Sequence, residues 1–184
     1  PDEARDRIWR TGALPPGKLG WAKVTSITRN ADQIAGQVLS ARDGAPAESI
    51  DVRIDLGNGI DLTGTVSNLY GHKVVQATYS KTGQKQWLDL WVHHLALALA
   101  KPDLEATSVV HGRGWRDKTP VARATLRPIT DLGHARTQLR RLVDLHQAGL
   151  TKPLLLPLKT AEAWVRHAGT KSQHFRAAQA WQGS

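Results

Sequence analysis

The sequence has no cysteine and no methionine among its 184 residues. The first absence removes disulfides, thiolate metal sites and cysteine nucleophiles together. It is compatible with an intracellular location, and the expectation is a cytoplasmic protein. The second absence, in a chain that opens on Pro1, reads as a piece of a longer polypeptide. Long apolar runs are missing too: the longest candidate, 95–100, falls far short of the roughly 18 residues of a membrane span. No basic-then-apolar signal opens the chain, so no membrane partner is expected. No Gly-x-x-x-x-Gly-Lys-Ser/Thr loop occurs, which argues against ATP binding. Acidic residues are scarce in one half. Residues 1–100 carry 11 Lys/Arg against 10 Asp/Glu, whereas residues 101–184 carry 14 against 6. Clustered cations facing one way suit a polyanion, because binding releases the counterions of a phosphate backbone. A solvated basic face is the plainer reading.

What is present points to one domain spanning 1–184, with 1–12 a frayed terminus or linker. At this length about 70% of the unfolded surface can be buried, so the core needs no metal or disulfide. Val24, Ile27, Ala31, Ile34 and Val38 recur at the spacing of one helix face. Ile50, Val52, Ile54 and Leu56 alternate as a half-buried strand, Gly57-Asn58-Gly59 supplies a hairpin turn, and Ile60 to Val66 alternate on the return. A third strand is predicted over 74–80 and a helix over 83–100 with Trp87, Trp91, Leu95 and Ala98 on one face. Two strands follow near 107–111 and 121–126, around a loop at 112–120. A helix over 131–148 and a last helix beginning at Thr160, with Trp164, Val165, Ala168 and Phe175, complete the chain. The order is α-β-β-β-α-β-β-α-α, a mixed α/β (α+β) fold with a central mixed sheet of about five strands flanked by helices.

Within that frame stand Leu62-Thr63-Gly64-Thr65-Val66-Ser67, Thr78-Tyr79-Ser80 and Gln86-Trp87-Leu88-Asp89-Leu90-Trp91. Helix, three-strand meander, helix, strand resembles the core of the PD-(D/E)xK nucleases. The resemblance places an Asp where Ser67 stands, a second acid at Thr78 and a lysine at Ser80. Mg²⁺ demands anionic oxygen ligands, and it is the metal that polarises the phosphoryl group and activates water. Hydroxyls at Ser67 and Thr78 cannot supply that charge. Asp61 lies on the face of Ser67, but roughly 20 Å up the strand. The degenerate positions Ser67, Thr78 and Ser80 therefore describe a nuclease frame without its chemistry: no catalytic residue, no metal and no cofactor are expected.

An inactivated nuclease fold is a feature of RecC proteins, the exodeoxyribonuclease V gamma subunits. The segments LPPGKLG at Leu14–Gly20, LTGTVSNLYG at Leu62–Gly71, WLDLWVHHLALAL at Trp87–Leu99 and PLLLPLKTAEAWV at Pro153–Val165 resemble that family in order along most of the chain. The resemblance implies a C-terminal domain of a RecBCD machine, an ATP-dependent exodeoxyribonuclease and helicase that repairs DNA breaks. Its implied partners are the RecB and RecD subunits and DNA, as a duplex end and as separated strands.

The 112–120 loop carries Arg113, Trp115, Arg116 and Lys118, an aromatic set among cations, as suits stacking on separated bases. RecC resemblance implies a protruding pin that splits the duplex, and this loop is the candidate for it. A basic hairpin with Trp115 folded back is the alternative. Arg136, Arg140 and Arg141 lie on or beside one helix face, as a phosphate stripe or as a solvated or partner-facing one. Leu154, Leu155 and Leu156 are partner-docking candidates. His93 and His94 are adjacent and cannot chelate together; His134 and His146 are too far apart to share a metal. Trp87, Trp91 and Trp164 read as core, leaving Trp9, Trp115 and Trp181 for contacts. Two competing readings remain: an active nuclease using Asp55 or Asp61, and a protein scaffold without DNA contact.

Overall fold

The computed structural model describes residues 7, 10–11, 17–116, 119–154 and 157–182, with the side chains at 115, 116, 119 and 120 excepted. The element order is α1 (Lys18–Arg42), β1 (Glu48–Asp55), β2 (Asp61–Tyr70), β3 (Lys73–Lys81), α2 (Gln84–Ala100), a 3₁₀ turn (Pro102–Leu104), β4 (Thr107–Arg116), β5 (Thr119–Leu126), α3 (Leu132–Thr151), α4 (Leu158–Arg166) and α5 (Gln173–Gln182). The five strands form one mixed sheet in chain order, antiparallel throughout except for the parallel β3–β4 pair. That parallel pair is joined through α2, the crossover such geometry requires.

Strand alternation sorts the core into two layers. Val74 faces the larger cluster with Val52, Ile54, Val66, Leu69, Leu95, Leu97, Ala135 and Leu139, so α2 and α3 cover that side. Val75 faces Ile34 and Val38 of α1 together with Tyr70 and Val109. The C-terminal end of α1 is also tied down by polar contacts: Lys73 Nζ donates to the Ala41 carbonyl at 3.3 Å, and the Arg42 guanidinium lies 4.7 Å from the Tyr70 ring centre. Of the predicted helix face, Val24, Ile34 and Val38 are buried, whereas Ile27 is exposed. The outer face of the β1–β2 hairpin is polar, with Arg53 paired to Asp61 and Thr65 donating to Asp51.

Two bulges shape the sheet. In β2, Ser67 and Asn68 together oppose Ser49, since Glu48 pairs with Leu69 and Ile50 with Val66. Asn68 takes a left-handed φ of 58° to do so. The extra residue keeps Val66 and Leu69 on the same buried face although three positions separate them. In β3, residues 78–80 oppose Gly112 alone, because Ala77 pairs with His111 and Lys81 with Arg113.

Two elements and one residue depart from the sequence expectations. Most of the expected 112–120 loop is strand: β4 runs to Arg116 and β5 starts at Thr119. Gly112 and Gly114 resemble loop residues in sequence, but Gly112 makes room for the β3 bulge. The last helix is two, separated by a turn in which Gly169 has φ 76°. Trp164 is 43% exposed and meets His174 edge-on at 4.8 Å, so it belongs to the α4–α5 hairpin and not to the core. Among the described residues no helix is long and apolar enough to cross a membrane.

His94 pins α2 to the sheet. It is buried; its Nε2 donates to the Arg127 carbonyl at 2.9 Å, which leaves Nδ1 to accept from the fully buried Ser108 hydroxyl at 2.8 Å. Burial lowers its pKa, against the raising effect of the Arg127 carbonyl. His111, buried under α1's side of β4, is lowered by burial and then by the Arg123 charge. The unfolded chain protonates histidine near pH 6.5, whereas these two resist protonation until lower pH. As pH falls through 6.5 the unfolded state therefore takes up more protons, and stability that is complete above that value is lost below it. The slope should reach about 1.4 kcal/mol per pH unit for each histidine. Thermal unfolding at pH 7.5 and 5.5 checks this; His94→Gln should be less stable at pH 7.5 and show a shallower pH dependence.

Candidate functional site

The β2 and β3 strands pair only at Leu69–Val74 and Tyr70–Lys73, beside the tight turn through Gly71 and His72. Beyond Asn68 they diverge, and the first half of α2 lies across the fork. The result is a cleft of about 350 Å³ lined by Asn68, Gln76, Ala77, Thr78, Lys85, Gln86, Asp89 and Val110. Strand alternation explains two of the three β3 members, since Gln76 and Thr78 share the face of Val74. The β2 bulge explains why Asn68 lines the cleft.

Of the three positions expected at a nuclease centre, Thr78 lines this cleft. Ser67 and Ser80 are exposed and are not among its lining residues. The Thr78 hydroxyl accepts from the Ser80 N–H at 3.2 Å, within the β3 bulge. Gln86 is also engaged: its Oε1 accepts from the Gly83 N–H at 3.1 Å, which caps α2. Asp89 is the one carboxylate lining the cleft, and Lys85 stands one turn before it. Asp89 lies 3.8 Å from His93 Nδ1, on the helix's exposed side. Among the described residues no group of three or more His, Asp or Glu side chains is placed to hold a metal.

Asp55 and Asp61 sit at the other end of β2. They face each other across the hairpin beside the Gly57–Gly59 turn. Asp55 accepts from the Gly57 N–H at 2.7 Å, and Asp61 is held by Arg53 through Nε at 3.1 Å and Nη2 at 2.8 Å. Seven residues of strand, about 23 Å at 3.3 Å each, separate Asp61 from Asn68.

The basic residues fall into two groups. Arg113 lies on β4 with its guanidinium 5.3 Å from the centre of the Tyr79 ring. Arg116 pairs in register with Thr119 near the hairpin's end. The side chains of Trp115 and Arg116, and all of Lys118, lie outside the described residues. Arg123 is exposed on β5, an edge strand of the sheet, where charge also discourages edge pairing. The α3 arginines are employed differently. Arg136 donates to the Asp55 carbonyl, while Arg140 donates to the carbonyls of Leu56 at 3.2 Å and Gly57 at 2.8 Å and pairs with Asp144 at 2.9 Å. Two of the three thus clamp α3 onto the β1–β2 turn, and Arg141 is exposed. Leu154 is exposed beside Gly149; Leu155, Leu156 and Trp9 lie outside the described residues, and Trp181 is exposed.

Sequence reasoning reached Thr78 and Gln86 but not Asn68, Gln76, Lys85 or Asp89 as neighbours. The available signal was alternation along β3 from Val74. The bulge that turns Asn68 inward has no such signature.

A five-stranded mixed sheet between helix layers, forked into a polar cleft with Asp89 as the carboxylate among its lining residues, defines a mixed α/β domain. A family model described as RecC C-terminal domain matches residues 1–169. The RecBCD enzyme subunit RecC of Mycolicibacterium smegmatis is 40% identical over 92% of the chain, and that of Mycobacterium tuberculosis 39% over 90%. The Escherichia coli subunit of the same name is 24% identical over 87%. The chain belongs to the RecC C-terminal domain family. It spans about 15% of the length of the mycobacterial relatives.

Proposed function

We propose that this chain is a non-catalytic, DNA-contacting and scaffolding domain of a RecC subunit, serving a RecBCD-type helicase–nuclease that unwinds duplex ends in break repair. Its relatives are named as RecC subunits of the RecBCD enzyme, so RecB and RecD subunits are its expected protein partners, alongside duplex ends and separated strands. The observation that carries the non-catalytic reading is the fork cleft: Asn68, Gln76 and Thr78 are neutral, and one carboxylate, Asp89, faces them. A divalent cation held there would lack the anionic oxygens that phosphodiester hydrolysis requires. The PD-(D/E)xK layout fits the element order, with the catalytic acids replaced.

DNA contact is assigned to the β4–β5 hairpin, through Arg113, Trp115, Arg116 and Lys118, with Arg141 as a further phosphate contact. Arg136 and Arg140 instead fix α3 to the β1–β2 turn. The hairpin joins β4 to the edge strand β5, and a stacking aromatic among cations suits a splayed strand.

Binding of labelled linear DNA to the chain, measured from 50 to 200 mM salt, tests the contact. Three or four phosphate contacts predict a log–log slope of about −3 for duplex, or a fall of roughly 60-fold over that range. Weak binding with no salt dependence would leave a protein scaffold without DNA contact.

A further inference from the structure

The α4–α5 hairpin does not close onto the body. Between α4 and α2 lies an open groove of about 730 Å³, with Leu126 of β5 also lining it. One wall presents Gln84, Trp87, Leu88 and Trp91; the other presents Leu158, Ala161, Glu162 and Val165. Each set follows the i, i+3, i+4, i+7 spacing with which a helix packs against another helix. Yet Leu158 is 44% exposed and Val165 72%. Two helices thus offer packing stripes to a space that neither fills.

The groove runs on into a second, more polar cleft of about 390 Å³ that shares Gln84, Trp87, Glu162 and Arg166 with it and adds Thr82, Ala122 and Arg123. Glu162 is ion-paired with Arg166, its neighbour one turn on. No carboxylate pairs with Arg123 among the described residues. The trench therefore has an apolar length and a cationic end.

We propose that this trench is the docking site for an amphipathic helix of a partner polypeptide, its apolar stripe between α2 and α4 and an acidic side chain at the end beside Arg123. Three features select that occupant. Both walls present helical stripes of eight residues, about 12 Å at 1.5 Å per residue, so two turns of a third helix fit between them. Apart from the mutually paired Glu162 and Arg166, the walls are mainly aliphatic and aromatic, with Arg123 at one end, which suits the helix-in-groove mode of recognition and leaves a nucleic-acid backbone with few phosphate partners along the length. The groove is open along its length, where a small-molecule site would enclose its ligand. The lining residues named for this trench are not among those assigned to DNA.

The test uses the full-length polypeptide that carries this chain, assembled with its partner subunits and DNA. A photoreactive benzoylphenylalanine placed at Val165, a position exposed enough to accept it, is irradiated and the adduct mapped by mass spectrometry. The expected adduct is a partner segment with apolar residues at i, i+3, i+4 and i+7 and an acidic residue within a turn of one end. In parallel, L158D/V165D should weaken partner association by about 100-fold and R123E by about 10-fold, with the salt dependence of DNA binding unchanged for L158D/V165D. An adduct on DNA, an adduct on a segment without that stripe, or no adduct would overturn the proposal. So would full partner affinity in a folded L158D/V165D variant. Should that variant fail to fold, the adduct decides alone.

Discussion

Replacing Gly112 with alanine should lower the stability of this chain by about 3 kcal/mol, although the change adds a single methyl group. A Cβ at that position would lie 2.6 Å from Thr82 Cγ2, 2.8 Å from Thr78 Cγ2 and 2.9 Å from the Ser80 carbonyl oxygen. The last is backbone and cannot rotate away. The crowding follows from the register: residues 78–80 of β3 bulge over Gly112, so three residues crowd against one. To accept a side chain β4 would have to move, and with it Val110 and His111, both buried. For a chain of this size the loss corresponds to a fall in melting temperature of about 10 °C. Gly36, in the exposed middle of α1 with nothing within 4 Å of its Cβ position, is the matched control. Gly36→Ala should stabilise by about 0.5–1 kcal/mol. Equal melting temperatures for the two variants would show that the bulge does not need the glycine. Because Thr78 sits in the same bulge, Gly112→Ala should also disturb the fork cleft.

Reversing charge at the hairpin tip should have the largest effect on DNA. R116E/K118E is expected to weaken duplex-end binding by about 100-fold at 50 mM salt and to flatten the log–log slope by about 2, one for each phosphate contact removed. The loss should be alike across DNA sequences, since phosphate contacts carry no base information. Within an assembled helicase complex, Trp115→Ala should slow unwinding while ATP turnover is largely retained, the pattern expected of a side chain that separates strands without powering translocation. Arg140→Ala provides the contrast. Its guanidinium holds the Leu56 and Gly57 carbonyls and Asp144, so its loss should register as lower stability before it registers as lower DNA affinity. Undiminished binding by R116E/K118E would move the DNA contact away from the hairpin.

Much of the fold was legible because period and punctuation agreed. The alternation of Ile50 to Leu56, the positive-φ turn at Gly57, Asn58 and Gly59, and the return strand appear as β1 and β2. The 3.6-residue spacing from Trp87 to Ala98 appears as α2. What was not legible depends on contacts distant in sequence. Gly112 and Gly114 read as loop residues, but a glycine can equally mark a strand that another backbone approaches closely. The bulge at Ser67 and Asn68 is set by pairing with Ser49, nearly 20 residues away, and no local pattern announces it. A position-by-position match with the nuclease frame therefore points to Ser67, whereas Asn68 lines the cleft. Trp164 has core-like chemistry at core-like spacing, yet its helix leaves the body and packs on α5. The arginines of α3 show the same lesson for function: their spacing suggests a stripe, and their hydrogen bonds show that two of them brace a turn.

With Asp89 as the carboxylate lining the β2–β3 fork, the proposed non-catalytic role requires that the fork hold no catalytic cation, and titrating the chain with Mn²⁺ while following its backbone amide resonances tests this most directly. No saturable, selective broadening is expected at Asn68, Gln76, Thr78 or Asp89, and no cutting of linear DNA in the same samples. Selective broadening at those residues together with metal-dependent cleavage that Asp89→Ala abolishes would contradict it.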